Sequence, residues 1–412
     1  MSKALVIGAG ISGVYAAKLL LKNNTEVVLY DDKPINLLPH VLSANLDSCL
    51  LKTYFNANFL LDKSFDLVII SPGVPKEHYL VKKALELNIK IVSEIDFASS
   101  FLKNNLVIGV TGTNGKSTTT SMIADIFKEA SFEVFAGGNL GIPLSKFVLE
   151  QNNPTTIIIL ELSSFQLEST FDIKLDAAIF LNLSCNHIDR HFDMENYFLA
   201  KAKILSLLKP TGVLFANELL KPYFKNLENQ QIKWFRTSGK PNEQNAFVAS
   251  LLTHNFGITE NIITKALKNF KALPHRNEYI GEKNGLIFIN DSKATTVEAA
   301  KQALALSDKK IHLLLGGVDK QEDFAQISSK YFNNIIAYYI FGKSKNKIAN
   351  DLLGENIYIV NNLEQAFEKA VSNALSDEVI LLSPACASYD QYDNFEQRGE
   401  HFRALTRIFL CM

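Results

Sequence analysis

Short runs of apolar, β-branched residues alternate with helix-period segments along almost the whole chain. The first such runs are Ala4–Gly8, Glu26–Asp31 and Asp66–Ser71, with a helical pattern near Val14–Lys22. A polar break at Phe101–Asn105 precedes the next run, Leu106–Val110, and a helical pattern from about Lys116. Further strands are expected at Thr155–Leu162 and Ala177–Leu183, followed by a helix near Asn196–Leu208. Ala272–His275 punctuates that block, because Pro274 pushes the residue before it out of the helical region. The last third alternates again through Leu286–Asp291, Lys310–Gly317, Asn334–Gly342, Asn356–Val360 and Glu378–Ser383. Such alternation predicts parallel α/β architecture. The breaks divide it into three α/β domains, 1–104, 105–273 and 274–412.

Composition narrows the function classes. With 412 residues, 47% hydrophobic and 21% charged, the chain is long enough for several cores. Its formal net charge of -1 supplies no global field toward nucleic acid or an anionic membrane. The N-terminal apolar run breaks at glycines too early for a signal peptide, and no stretch reaches the roughly 18 apolar residues of a membrane span. Cys49, Cys185, Cys386 and Cys411 are scattered without metal-like spacing, which fits reduced thiols in the cytoplasm and no zinc site. We expect a cytoplasmic monomer that engages neither nucleic acid nor membrane.

The chemistry concentrates after strand ends. Gly8-Ala-Gly10-Ile-Ser-Gly13 follows the first strand and opens a helix, with Asp31 and Asp32 ending the second strand. A helix N-terminus there meets a pyrophosphate, and an acid reads a ribose or base. NAD, FAD and UDP-sugars all remain compatible, as does a plain βα turn. Gly109–Thr118, GVTGTNGKST, is a stronger signal. Its glycines let backbone amides point at phosphates, Lys116 adds a point charge, and Ser117 or Thr118 can ligate Mg²⁺. It departs from the usual P-loop by one extra residue and by Val110 in place of a glycine. Glu161 ends an apolar strand where P-loop enzymes hold Mg²⁺. His187, Asp189, Arg190 and His191 crowd a third strand end, which favours a functional His187. Lys201 and Lys203 read locally as solvated or snorkelling lysines. Polar clusters follow in Pro274–Glu278, Asn290–Thr296, Gly316–Lys320 and Ser383–Gly399, where Asp291 and Ser292 look like helix caps.

Taken together, GVTGTNGKST, ELSSFQLE, Asn182–His191, PHR, NDSKATT and the SPACAS…NFEQRG tail resemble the Mur ligases of bacterial peptidoglycan synthesis. The resemblance spans essentially the whole chain, and the tail is most similar to the D-glutamate-adding branch. It implies an N-terminal Rossmann-like domain for a UDP-sugar, a central P-loop ATPase-like domain and a C-terminal Rossmann-like domain for the amino acid. The implied substrates are ATP, UDP-N-acetylmuramoyl-L-alanine and D-glutamate, joined through an acyl phosphate in a bacterial cytoplasm. By matching positions, Gly112, Thr113, Asn114, Gly115, Lys116, Ser117, Thr118, Asn245, Arg276 and Asp291 would bind ATP. Ile11, Ser12, Asp31, Asp32, Gly73, Asn139, Gln166 and His187 would hold the UDP-sugar. Thr295, Lys320, Ser388 and Phe395 would hold D-glutamate. Lys116, His187 and Lys201 would be catalytic. Lys201 matches a lysine that is carbamylated in the family, so that two Mg²⁺ ions would sit between Ser117, Glu161, His187 and the Lys201 carbamate. One departure is Asn186, where the family usually has Asp, which implies weaker or compensated metal affinity with activity retained.

Two readings from other classes compete. A nicotinamide or flavin oxidoreductase explains Gly8–Gly13 and leaves Gly109–Thr118 unexplained. A nucleotide-controlled binding module is an NTP switch without ligation, and phosphate release that ignores added amino acid and sugar nucleotide would support it. Within the ligases, a sister enzyme adding another amino acid is the alternative.

Overall fold

A computed structural model describes residues 2–32, 49–55, 59–184, 186–225, 231–271, 273–319, 322–352 and 356–411. The chain is α/β throughout. Strands β1 (Lys3–Ile7), β2 (Glu26–Asp31), β3 (Leu51–Phe55), β4 (Leu67–Ile70) and β5 (Lys90–Ser93) form a parallel sheet in the order β3-β2-β1-β4-β5. A second parallel sheet contains β6 (Val107–Thr111), β7 (Val134–Gly138), β8 (Ile157–Glu161), β9 (Leu175–Phe180), β10 (Leu208–Asn217) and β11 (Ile232–Phe235). Its order is β11-β10-β9-β6-β8-β7. The third sheet contains β12 (Glu278–Lys283), β13 (Leu286–Asn290), β14 (Ile311–Gly316), β15 (Ile335–Phe341), β16 (Ile357–Ile359) and β17 (Val379–Leu382). It runs β12-β13-β17-β14-β15-β16, with β12 antiparallel to β13 and the other pairs parallel.

The central strands are near-continuous apolar runs because helices cover both faces of the sheet. Every residue of β6, β8 and β14 is buried. Helices Ile11–Lys22 and Lys116–Glu129 leave β1 and β6 through the two glycine turns. The first helix starts earlier than its apolar period indicates, at the turn itself. The expected helix to Leu208 is instead an α-helix, Met194–Ala202, continued by a 3-10 segment, Lys203–Leu207, that runs into β10.

Two compact units emerge. Met1–Leu183 with Asp193–Phe270 carries the first two sheets, and Ser184–Phe192 with Lys271–Met412 carries the third. Within the first unit, helix Glu94–Ser99 joins the sheets through two buried carboxylates. Glu94 accepts from the Ser145 amide at 2.7 Å, capping helix Leu144–Glu150. Asp96 accepts from the amides of Phe171, Asp172 and Ile173 at 2.8, 2.9 and 3.1 Å.

Candidate active site

Parallel strands deliver their carboxyl ends to one edge, and in the second sheet that edge carries the glycine loop. Gly115 caps the following helix at φ 80, a left-handed conformation that suits glycine, and a Cβ there would sit 2.5 Å from Asn245 Oδ1. Asn182, just beyond β9, clamps the loop. Its Oδ1 accepts from the amides of Thr113 at 3.1 Å and Asn114 at 2.9 Å, while its Nδ2 donates to Asn114 O at 3.1 Å. Lys116 Nζ donates to Thr113 O at 2.7 Å. Asn245 thus lies beside the loop.

Behind the loop, Ser117 Oγ donates to Glu161 Oε2, and Asn139 Nδ2 donates to Glu161 Oε1 at 2.6 Å. Ser117 and Glu161 are fully buried. A hydroxyl and a carboxylate are hard oxygen donors, and Mg²⁺ takes one or two such protein ligands with the rest from phosphate and water. The pair therefore fits Mg²⁺ by its chemistry. Among the described residues, no group of three or more His, Cys, Asp or Glu side chains could hold a metal alone. Asn139 is engaged here with Glu161, and Gln166 is engaged in a capping box with Ser163.

Lys201 departs from its local reading as a surface lysine: it is 1% exposed. Its Nζ donates to Gly112 O at 2.8 Å and lies 4.8 Å from the Tyr197 ring centroid. Burial first, and then the Lys116 charge, hold its amine well below the ordinary lysine range, with Glu161 pulling the other way.

At the first sheet, a cavity of about 410 Å³ lies where strand order reverses between β1 and β4. Ile11, Ser12, Asp31, Asp32 and Gly73 all line it. A Cβ on Gly13 would lie 1.8 Å from Gly8 O, so only glycine lets helix and turn approach this closely. Asp31 Oδ2 accepts from the Ala9 amide at 2.7 Å, whereas Asp32 is more exposed and meets Tyr30 OH at 2.9 Å and His78 Nε2 at 3.2 Å.

The second unit has its own strand-edge cluster. Asp291 is no helix cap: its Oδ1 accepts from the Asn277 amide at 3.1 Å and its Oδ2 from Ser383 Oγ at 2.8 Å. Thr296 caps helix Val297–Leu304 instead. Burial pushes the Asp291 carboxyl up to about 7, opposed by Ser383, the Asn277 amide, Arg276 and Arg398. Ser292 is not a cap either, because its Oγ and O both accept from Arg398. Thr295 and Phe395 are half-buried and Ser388 is buried, all beyond strand ends of this sheet or at the start of helix Phe395–Cys411. His187 belongs to this unit and has a left-handed φ of 55. Lys320 lies outside the described residues.

Three family descriptions match in succession: "Mur ligase MurD-like, N-terminal domain" over 2–93, "Mur ligase middle domain" over 110–285, and "Mur ligase, glutamate ligase domain" over 275–386. The UDP-N-acetylmuramoylalanine--D-glutamate ligase of Caldicellulosiruptor bescii is 34% identical, covering 97% of this chain and 96% of that protein. The chain belongs to the Mur ligase family. The Leptospira interrogans protein of the same name is also 34% identical, over 99% of this chain and 97% of its own. In fold, this Mur ligase is similar to UDP-N-acetylmuramate-alanine ligase from Thermotoga maritima, with a TM-score of 0.61 at 17% identity over 99% of this chain and 100% of that one. A pseudomurein peptide ligase type C from Methanothermus fervidus gives 0.59 at 18% identity, over 99% and 100%.

Three further residues shape this Mur ligase without having been read as site residues. Asn182 and Arg398 lie inside two of the quoted motifs, where neighbouring side chains drew the functional reading, and Tyr197 lies outside them. Their partners are far away in sequence: the Thr113 and Asn114 amides for Asn182, Thr113 Oγ1 at 3.3 Å for Tyr197, and Ser292, Gly316 and Cys386 for Arg398.

Proposed function

We propose that this chain is an ATP-dependent amide-bond ligase that adds D-glutamate to UDP-N-acetylmuramoyl-L-alanine, releasing ADP and phosphate, in peptidoglycan precursor synthesis. The observation that carries this reading is the buried Ser117–Glu161 pair behind a lysine-bearing phosphate loop. It sits in a chain one-third identical, end to end, to ligases of that name.

A carboxylate is a poor acyl donor. Transfer of the ATP γ-phosphoryl group to a carboxylate oxygen of the sugar peptide makes an acyl phosphate, which the amine of D-glutamate attacks at carbon. The tetrahedral intermediate expels phosphate and the amine loses its proton to solvent. Lys116 offsets charge on the moving phosphoryl group. Ser117 and Glu161 would hold Mg²⁺, which would supply further charge neutralisation. The loop amides orient the phosphates, while Asn245, Arg276 and Asp291 bind the nucleoside. Ile11, Ser12, Asp31, Asp32 and Gly73 take the UDP group, and Asn139, Gln166 and His187 face the sugar peptide. Thr295, Lys320, Ser388 and Phe395 bind D-glutamate.

Lys201 is read as a carbamate. Its depressed basicity leaves a neutral amine whose lone pair bonds the carbon of CO₂, with a proton released to water. The carbamate would turn a buried cation into an oxygen donor that would help hold Mg²⁺ in the first unit; His187, in the second unit, is read as a further metal ligand.

The deciding experiment measures phosphate release from ATP with UDP-N-acetylmuramoyl-L-alanine and a panel of D- and L-amino acids. Release that requires D-glutamate is expected. Release with L-alanine and not D-glutamate, on the sugar nucleotide lacking alanine, would transfer the chain to a sister specificity. NADH binding without ATP turnover would remove the ligase reading.

A further inference from the structure

Both nucleotide clefts of the first unit lie at carboxyl ends of strands. A cavity of about 470 Å³ lies at the other edge, where the first two sheets meet. Leu67, Lys90 and Val107 line it, and these are the first residues of β4, β5 and β6. Its volume is within the range of small-ligand sites.

The lining combines two characters. Val92, Phe97, Leu102 and Ile173 make it apolar, while Lys90, Lys103, Lys174 and Lys209 bring four ammonium groups. Two carboxylates oppose them, Asp96 and Asp172. Asp96 is buried with three amides already on its oxygens. Lys209 is matched by Asp176 at 2.8 Å. Lys90, Lys103 and Lys174 are exposed and make no ion pair among the described residues. Like charges around a volume with low-dielectric walls raise its potential and concentrate anions there.

We propose that this cavity binds a small organic anion with an apolar body. Its acidic group lies among the Lys90, Lys103 and Lys174 ammonium groups, and its body rests on Phe97 and Ile173. Such a ligand touches both sheets of the unit, so it stiffens their seam from the edge opposite the phosphate loop.

The test uses the full chain with ATP and UDP in excess, so that the other clefts are filled. Two fluorescent probes share one aromatic body: 8-anilino-1-naphthalenesulfonate and the uncharged N-phenyl-1-naphthylamine. The sulfonate should bind at one saturable site, at least about tenfold tighter than the neutral probe and more weakly as salt rises. Combining Lys90→Ala, Lys103→Ala and Lys174→Ala should weaken sulfonate binding about tenfold, as expected for three exposed charges. Lys90→Glu with Lys174→Glu should abolish it. Both variants should melt as the parent does and keep its amino-acid-dependent phosphate release, which separates this proposal from the ligase assignment. Equal binding of the two probes, unchanged affinity in the lysine variants, or displacement of the sulfonate by ATP or UDP would each overturn it.

Discussion

Two buried cations stand at two sheet edges in this chain, and they are held in opposite ways. At the second sheet, Lys201 makes one hydrogen bond among the described residues, to Gly112 O, beside an aromatic face. At the third, Arg398 is 0% exposed and makes five. Its guanidinium donates to Ser292 Oγ and O, to Gly316 O and to Cys386 O, tying the end of β14 to the loops that follow β13 and β17. Burial lowers Arg398 to about 10, so it stays charged at neutral pH. A saturated buried charge organises backbone. One with a single neutral partner and a strongly depressed basicity is available for chemistry.

Removing each cation should therefore fail differently. Lys201→Ala is expected to cost about 10³-fold in kcat, as for loss of a group that stabilises transition-state charge. Its stability should change little, because removal of a poorly solvated amine offsets the donor lost by Gly112 O and the space left behind. Short carboxylic acids should restore part of the rate by supplying the missing oxygens. Full activity in the unrescued variant would remove the carbamate from the mechanism.

Arg398→Met should instead show in denaturant unfolding, with a loss of about 3 kcal/mol or more, since buried carbonyls left without donors cost about 1–3 kcal/mol each. Arg398→Lys keeps the charge with fewer donors and should recover only part of that. A Met variant as stable as the parent would mean the loops do not depend on this knot.

The same edge holds a buried acid, which sharpens the contrast through pH. Asp291 is raised from 3.8 to about 7, so the native state keeps a proton that the unfolded chain has lost. The stability from that proton is complete below pH 3.8 and disappears as pH rises to about 7. Integrated over the window this amounts to at most about 4 kcal/mol. Asp291→Asn should flatten the difference in melting temperature between pH 4 and pH 7. An unchanged slope would place the pH dependence elsewhere.

What could be read in advance follows from how local each signal is. β1, β6, β8 and β14 are continuous apolar runs, and they were legible as strands. β3 is exposed from Lys52 to Phe55, β5 has four residues, and β11 and β12 lie at sheet edges, so none carries a clear apolar signal. The phosphate loop is local, because the glycines that open the backbone stand next to the lysine. Asp291 and Ser292 misled for the same reason. An acid and a serine before a helix look like caps, yet their partners are Ser383 and Arg398, 92 and 106 residues away. Lys201 looked like a surface lysine because its helix pattern says nothing of the loop carbonyl above it.

Asn182 tests the comparison on a neutral group and carries the smallest expected effect. Its side chain does for the phosphate loop what Arg398 does for the third sheet, but with no charge and three hydrogen bonds. Thr113 N also bonds to Asn182 O at 3.0 Å, and this contact survives truncation of the side chain. Asn182→Ala should therefore loosen the loop without collapsing it, raising the KM for ATP about tenfold, near 1.4 kcal/mol, with kcat changed only a few fold. Asn182→Asp keeps an acceptor for both amides, loses the Nδ2 donor to Asn114 O and sets a negative charge beside a triphosphate. If Asn182 acts only by holding amides, the Asp variant should match the parent. If its neutrality matters, as the phosphate assignment requires, the Asp variant should bind ATP more weakly than the Ala variant, and more so at low salt.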